Sequence, residues 1–135
     1  MSATLTVRGV GVLAPGLAGW TNARDVDYVN MHGTGTPAND AAESAAVAAV
    51  LGGDVPCSST KGWTGHALGA AGIVEALFAV DAIASGTIPG NLGGEDVDPR
   101  VSVRIERSTR AHAVRRAMSN SFGFGGSNCS LVFAT

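Results

Sequence analysis

Glycine-rich turns, each set beside a short apolar run, limit this chain's folding more than any other feature. Val26–Met31 (VDYVNM) runs into His32-Gly33-Thr34-Gly35-Thr36-Pro37, and Val55–Ser59 runs into a loop at Lys61–Gly65. Asn120–Asn128 (NSFGFGGSN) leads into a last apolar run, Cys129–Phe133. Short β-branched runs punctuated by Gly and Pro read as strands ending in turns. Between the first two strands, Ala41–Leu51 reads as a helix that Pro37 can start and Gly52-Gly53 stops. Asp40 and Glu43 fall in its first turns, where acidic side chains complement the helix dipole. A second helix is expected to open at Gly65 or His66, run to about Ser85 and end at Gly86 and Pro89. Leu5–Val12, Val101–Glu106 and Ala111–Ser119 supply further strands. The order predicts a layered α/β domain with a mixed, partly parallel sheet and packed helices.

Composition narrows the class. With 19 Gly and 22 Ala in 135 residues, close backbone approach replaces bulky core filling. Hydrophobic residues at 45% and charged residues at 15% exclude a disordered chain. A net charge of −2 argues against nucleic acid as a partner. The apolar stretch Ala67–Ala84 is interrupted by Glu75 and Asp81, so a buried core helix is expected, not a membrane span. The first residues show no charged segment followed by an apolar one, so no signal peptide is expected. Cys57 and Cys129 do not make a disulfide framework and read as buried free thiols. A cytoplasmic chain with no metal site and no membrane partner is the expectation.

The candidate chemistry sits in the turns. Gly9–Ala14 fits G-x-G-x-x-A after a strand, but Pro15-Gly16 follows where a dinucleotide site needs a helix, so a plain turn is expected. His32 stands at the end of one strand. His66 follows another, five residues after Lys61, the only lysine beside eight arginines. If a helix opens at His66, its positive end and Lys61 would hold the imidazole neutral. A neutral imidazole can still donate a hydrogen bond to a developing oxyanion. The NSFGFGGSN turn reads either as a plain hairpin turn or as one that points backbone amides into a site.

HGTGTPAND at His32–Asp40, STKGWTGHALGAAGIVEA at Ser59–Ala76 and NSFGFGGSN at Asn120–Asn128 occur in the order and content seen in one family. They closely resemble the C-terminal half of elongating β-ketoacyl-acyl-carrier-protein synthases, the condensing enzymes of fatty acid and polyketide synthesis. The resemblance covers about Asp25 to Ala134, and VRGVGVLAPGLAGW within residues 1–24 separately resembles the family's first strand and turn. It implies a thiolase-like fold for residues 25–135. It also implies that the family's other half, which bears the nucleophilic cysteine, has no counterpart between Trp20 and Asp25.

The resemblance assigns roles. His32 and His66 would hydrogen-bond a malonyl thioester carbonyl and stabilise the enolate left by loss of carbon dioxide. Lys61 would tune the electrostatics and Glu75 would hold the network. Thr34 and Thr36 would contact a phosphopantetheine arm. Phe124, flanked by Gly123 and Gly125, would supply an oxyanion-hole amide and gate the acyl pocket. The implied partners are acyl-carrier protein and either a second copy or a complementary ketosynthase half. No resident cofactor is implied, because the substrates arrive on the carrier protein's phosphopantetheine. A non-catalytic ketosynthase-like partner or carrier-protein-binding subunit, and a deletion remnant, are the alternatives.

Overall fold

A computed structural model describes residues 25–135 together with the backbone of one earlier strand, β1 (Thr6–Gly11). The turn expected at Leu13–Gly16 and the Trp20 segment lie outside the described residues. The remaining strands are β2 (Tyr28–Asn30), β3 (Pro56–Ser58), β4 (Thr87–Ile88), β5 (Arg104–Ile105), β6 (Arg110–Ala111), β7 (Arg116–Phe122) and β8 (Asn128–Ala134). The helices are α1 (Pro37–Leu51), a single turn α2 (Lys61–Thr64) and α3 (Ala71–Ser85).

Six strands form one sheet in the order β1-β8-β7-β2-β3-β5. β7, β2, β3 and β5 run parallel, while β8 returns antiparallel to β7 and β1 is antiparallel to β8. Both faces of the centre are covered, so its strands read as apolar runs rather than alternating ones. Val29, Met118 and Val132 point to one side, where they join Val47 of α1. Their neighbours Tyr28, Ala117 and Phe133 point to the other, against Ala76, Ala79, Ala82 and Ile83 of α3. The domain is therefore three layers, helix on sheet on helix. Small residues let α3 approach closely: a side chain at Gly72 would meet Ser121 Oγ at 2.8 Å.

The parallel pairing positions the site. Asn30 is level with Ser58 on β3 and with Ser119 on β7. The turns that follow β2 and β3 therefore leave the sheet at one edge, the carboxyl ends of parallel strands, where open α/β sheets bind ligands.

Several boundaries differ from expectation for physical reasons. The second helix does not open at His66. Lys61–Thr64 makes a turn of its own, Gly65 ends it at φ +71°, and a 3-10 turn at Leu68–Ala70 precedes α3. The expected strand Val101–Glu106 shortens to Arg104–Ile105, which pair with Pro56 and Cys57 of the short β3. Ala111–Ser119 divides between β6 and β7 because Asp27 Oδ2 accepts the Arg115 and Arg116 amides where the chain passes between two sheets. The second sheet is a β4–β6 pair that the sequence did not announce. Nor is α3 buried all round. Ala71, Glu75, Ala76, Ala79, Ala82 and Ile83 face inward, but Ile73 and Leu77 are 63% and 61% exposed.

Candidate active site

Glu43 builds the first turn. The side chain leaves α1, and its carboxylate accepts the backbone N–H groups of His32 at 2.8 Å and Gly33 at 2.9 Å. Asn120 Nδ2 on β7 donates a third bond at 3.1 Å. Burial pushes the Glu43 carboxyl up from its usual range, and the three donors oppose that shift. Reading Glu43 as a helix-dipole residue missed this role, and with Asp40 in the same first turns nothing in the sequence separates the two. Gly33, at φ +39°, lies so close to Ser59 that a side chain there would meet Ser59 Cβ at 2.6 Å.

Lys61, from α2, reaches across to this turn. Its ammonium bonds the Glu75 carboxylate, donates to the His32 carbonyl and lies 3.2 Å from His32 Nδ1. Glu75 is almost fully buried on the inner face of α3, accepts Ser121 Oγ at 3.4 Å and lies 4.0 Å from His32 Nδ1. Its burial raises the carboxyl pKa, with Lys61 and Ser121 acting against the rise.

The two imidazoles meet edge to face, their centroids 5.5 Å apart and their planes at 85°. An ammonium can only donate, so His32 Nδ1 accepts and the ring proton is assigned to Nε2. His66 reaches the same tautomer by another route: its Nδ1 accepts the Leu68 N–H at 3.2 Å. Leu68 is the only non-glycine at positive φ among the described residues, at +49°. A leucine there costs about 1–2 kcal/mol, and this left-handed turn is what returns the amide to His66. The imidazole held neutral is His32, whose pKa is pushed down to about 4 by burial first, then by Lys61 and by His66. The helix-terminus argument for His66 does not apply, since α3 begins at Ala71.

An open groove of about 540 Å³ is lined by Thr34, Ser59, Lys61, His66 and Asn91–Gly94; His66 reaches it, while His32 lies behind Lys61 and is not among its lining residues. Thr34 lies on the groove, and its hydroxyl is 2.9 Å from that of Thr36. The NSFGFGGSN segment forms the hairpin turn between β7 and β8, the first of its two readings. Phe124 is fully exposed and Gly123 spends its N–H on the Ser127 carbonyl at 2.7 Å. Gly125 and Gly126, both at positive φ, carry the turn outward, which leaves the Phe124 ring without neighbours. The aromatic ring beside the histidines is Phe122, 5.5 Å from His32. Cys57 is buried, with Sγ donating to the Val55 carbonyl, and burial pushes its thiol far up. Cys129 lies partly buried on β8.

Residues 17–95 match the family described as Beta-ketoacyl synthase, C-terminal domain. The chain is 49% identical over 117 residues to the mitochondrial 3-oxoacyl-[acyl-carrier-protein] synthase of Arabidopsis thaliana, covering 82% of this chain and 25% of that one. Among solved structures, a β-ketoacyl synthase from Burkholderia phymatum aligns with a TM-score of 0.80 at 39% identity, over 84% of this chain and 28% of that one. A ketosynthase from Xenorhabdus doucetiae, solved in complex with its chain length factor, aligns with a TM-score of 0.76 at 35% identity, over 84% and 29%. The chain thus spans about a quarter of the length of the relatives it matches, and its fold is the thiolase-like one they share.

Proposed function

The chain belongs to the β-ketoacyl synthase family through its C-terminal domain, and from that membership we propose that it carries the enolate-stabilising half of a decarboxylative condensation. The observation that carries this reading is the paired geometry: two imidazoles 5.5 Å apart, each with Nδ1 engaged by a donor, which assigns the ring proton to Nε2. A malonyl thioester in the groove loses carbon dioxide by breaking its Cα–carboxylate bond. The bonding pair moves into the thioester, and negative charge gathers on the carbonyl oxygen. Two imidazole N–H donors stabilise that charge as it develops. The enolate carbon then attacks an acyl thioester and expels its thiolate.

Lys61 and Glu75 act through His32. The ammonium fixes its tautomer and disfavours its protonation, and Glu75 holds the ammonium in place. Thr34 and Thr36 are assigned to the phosphopantetheine arm of an acyl-carrier protein, the carrier named in the Arabidopsis relative. Phe124 and its flanking glycines keep the role of a mobile gate only when another surface covers the turn. A purely non-catalytic partner would have no use for two tautomers set this way.

The acyl acceptor is assigned to a ketosynthase portion outside these residues, because a buried thiol far above its usual range is not a nucleophile. Incubated with malonyl-carrier protein, the chain is expected to yield acetyl-carrier protein and to show no acyl adduct by intact-protein mass. Stoichiometric acylation abolished by Cys57→Ser would contradict this. The partner surface is assigned to the exposed apolar residues Leu68, Ile73 and Leu77. Ile73 and Leu77 stand one turn apart on α3, and exposed apolar side chains grouped in this way mark interfaces. Concentration-dependent association in sedimentation is expected, weakened by Ile73→Glu, and a monomer at all concentrations would count against it.

A further inference from the structure

Lys61 sits on a helix of one turn, too short to hold its own shape in water. Its position is set from outside, by Gly90–Leu92, which touches the Lys61 segment at three successive places. Asn91 Oδ1 accepts the Ser59 N–H at 2.6 Å. The Gly90 carbonyl accepts the Trp63 indole N–H at 2.8 Å. The Leu92 carbonyl lies against Gly62, where any side chain would collide with it. Asn91 is itself anchored, since its N–H donates to the Glu106 carbonyl at 2.8 Å and the Glu106 carboxylate is held by both Arg110 and Arg104. On the other side, Ser59 Oγ donates to the Gly33 carbonyl at 2.9 Å, next to His32.

We propose that Asn91 is a positioning residue for the Lys61–His32 pair: by holding Ser59 it keeps the loop after β4 clamped on α2 and so sets where the Lys61 ammonium meets His32 Nδ1. The groove runs directly beside this clamp, so the loop that forms its outer wall also aims the lysine on its inner wall. The inference rests on the reading of Lys61 and His32 as a working pair, but its test reads a titration rather than turnover.

The experiment follows the His32 ring by NMR as pH is lowered, in the whole chain and in Asn91→Leu and Gly62→Ala. The first variant removes the acceptor and the second pushes on the clamp from the opposite side. Lys61, His66 beside it, Asp40 from α1 and Glu75 from α3 bear on His32 in both variants. Because burial also holds the His32 midpoint down, Lys61→Met is followed in parallel: a shift that Asn91→Leu no longer adds in the Lys61→Met background reports a displaced ammonium, and one that it still adds reports a wetter ring and overturns the proposal. Both variants are expected to raise the His32 midpoint by about one pH unit, as loss of a nearby cation should. A residue of merely structural importance would lower stability and leave the midpoint where it is. If Asn91→Leu does not fold, Gly62→Ala decides. Wild-type midpoints in the folded variants overturn the proposal. A wild-type His32 that already titrates near its ordinary value removes the Lys61–His32 pair itself, a failure distinguishable from that of the clamp.

Discussion

Replacing His66 by alanine is expected to slow carbon dioxide release from a malonyl thioester by about 10²–10³-fold, the usual cost of one oxyanion donor. His66 gives the cleaner of the two histidine tests. His66 is exposed and, among the described residues, its ring makes one hydrogen bond, accepting the Leu68 N–H, so the variant loses a donor and little packing. His32→Ala is expected to fall as far in rate, with an added stability cost. That ring is buried, packs on Phe122 and gives the Lys61 ammonium an acceptor. Cys57→Ser should leave the rate unchanged, because its thiol is buried in the core with Val29 and Met118 and donates to the Val55 carbonyl. Equal rates in wild type and His66→Ala, measured as acetyl thioester formed from malonyl thioester, would separate the imidazole pair from the reaction.

The second large effect is on folding. Glu43→Ala is expected to cost about 3–5 kcal/mol, because each buried donor left unpaired costs about 1–3 kcal/mol. Three are at stake: the amides of His32 and Gly33 and the Asn120 side chain. They come from β2's turn and from β7, so one carboxylate ties three elements together. A domain of this kind has about 5–15 kcal/mol in all, and much of the variant should be unfolded in mild urea. Glu43→Gln retains one acceptor oxygen but turns an N–H donor toward one of the amides, and an intermediate loss is expected. A urea midpoint unchanged in Glu43→Ala would show that these bonds contribute little.

The residues that the sequence revealed are those fixed by strand ends. His32, Lys61 and His66 stood out because each follows a short apolar run at a glycine turn, and parallel pairing of β2 with β3 then brings them to one edge. Glu75 entered as a site residue only through the family resemblance, since Asp81 interrupts the same apolar stretch. What stayed hidden depends on conformation or on partners distant in sequence. The Leu68 turn has no glycine to signal its positive φ. Glu43 looks like any acidic residue near a helix start until β2's turn folds over it. Phe122 and Phe124 are two residues apart in one motif, and only the outward path of Gly125 and Gly126 decides which ring meets His32. The β4–β6 pair has two residues in each strand, below what any periodicity can register.

One consequence of the His32 environment is a sign. A histidine whose folded pKa lies near 4 rather than at 6.5 binds fewer protons folded than unfolded between those values. Its contribution to stability is therefore complete above pH 6.5 and is lost as pH falls toward 4. The most direct measurement of the account is nitrogen-15 NMR of the histidine rings in the whole chain. His32 is predicted to be neutral with its proton on Nε2 from pH 7 to about 5, and to take up a second proton near pH 4. A His32 ring protonated on Nδ1 at neutral pH, or one that titrates at 6.5, would contradict it.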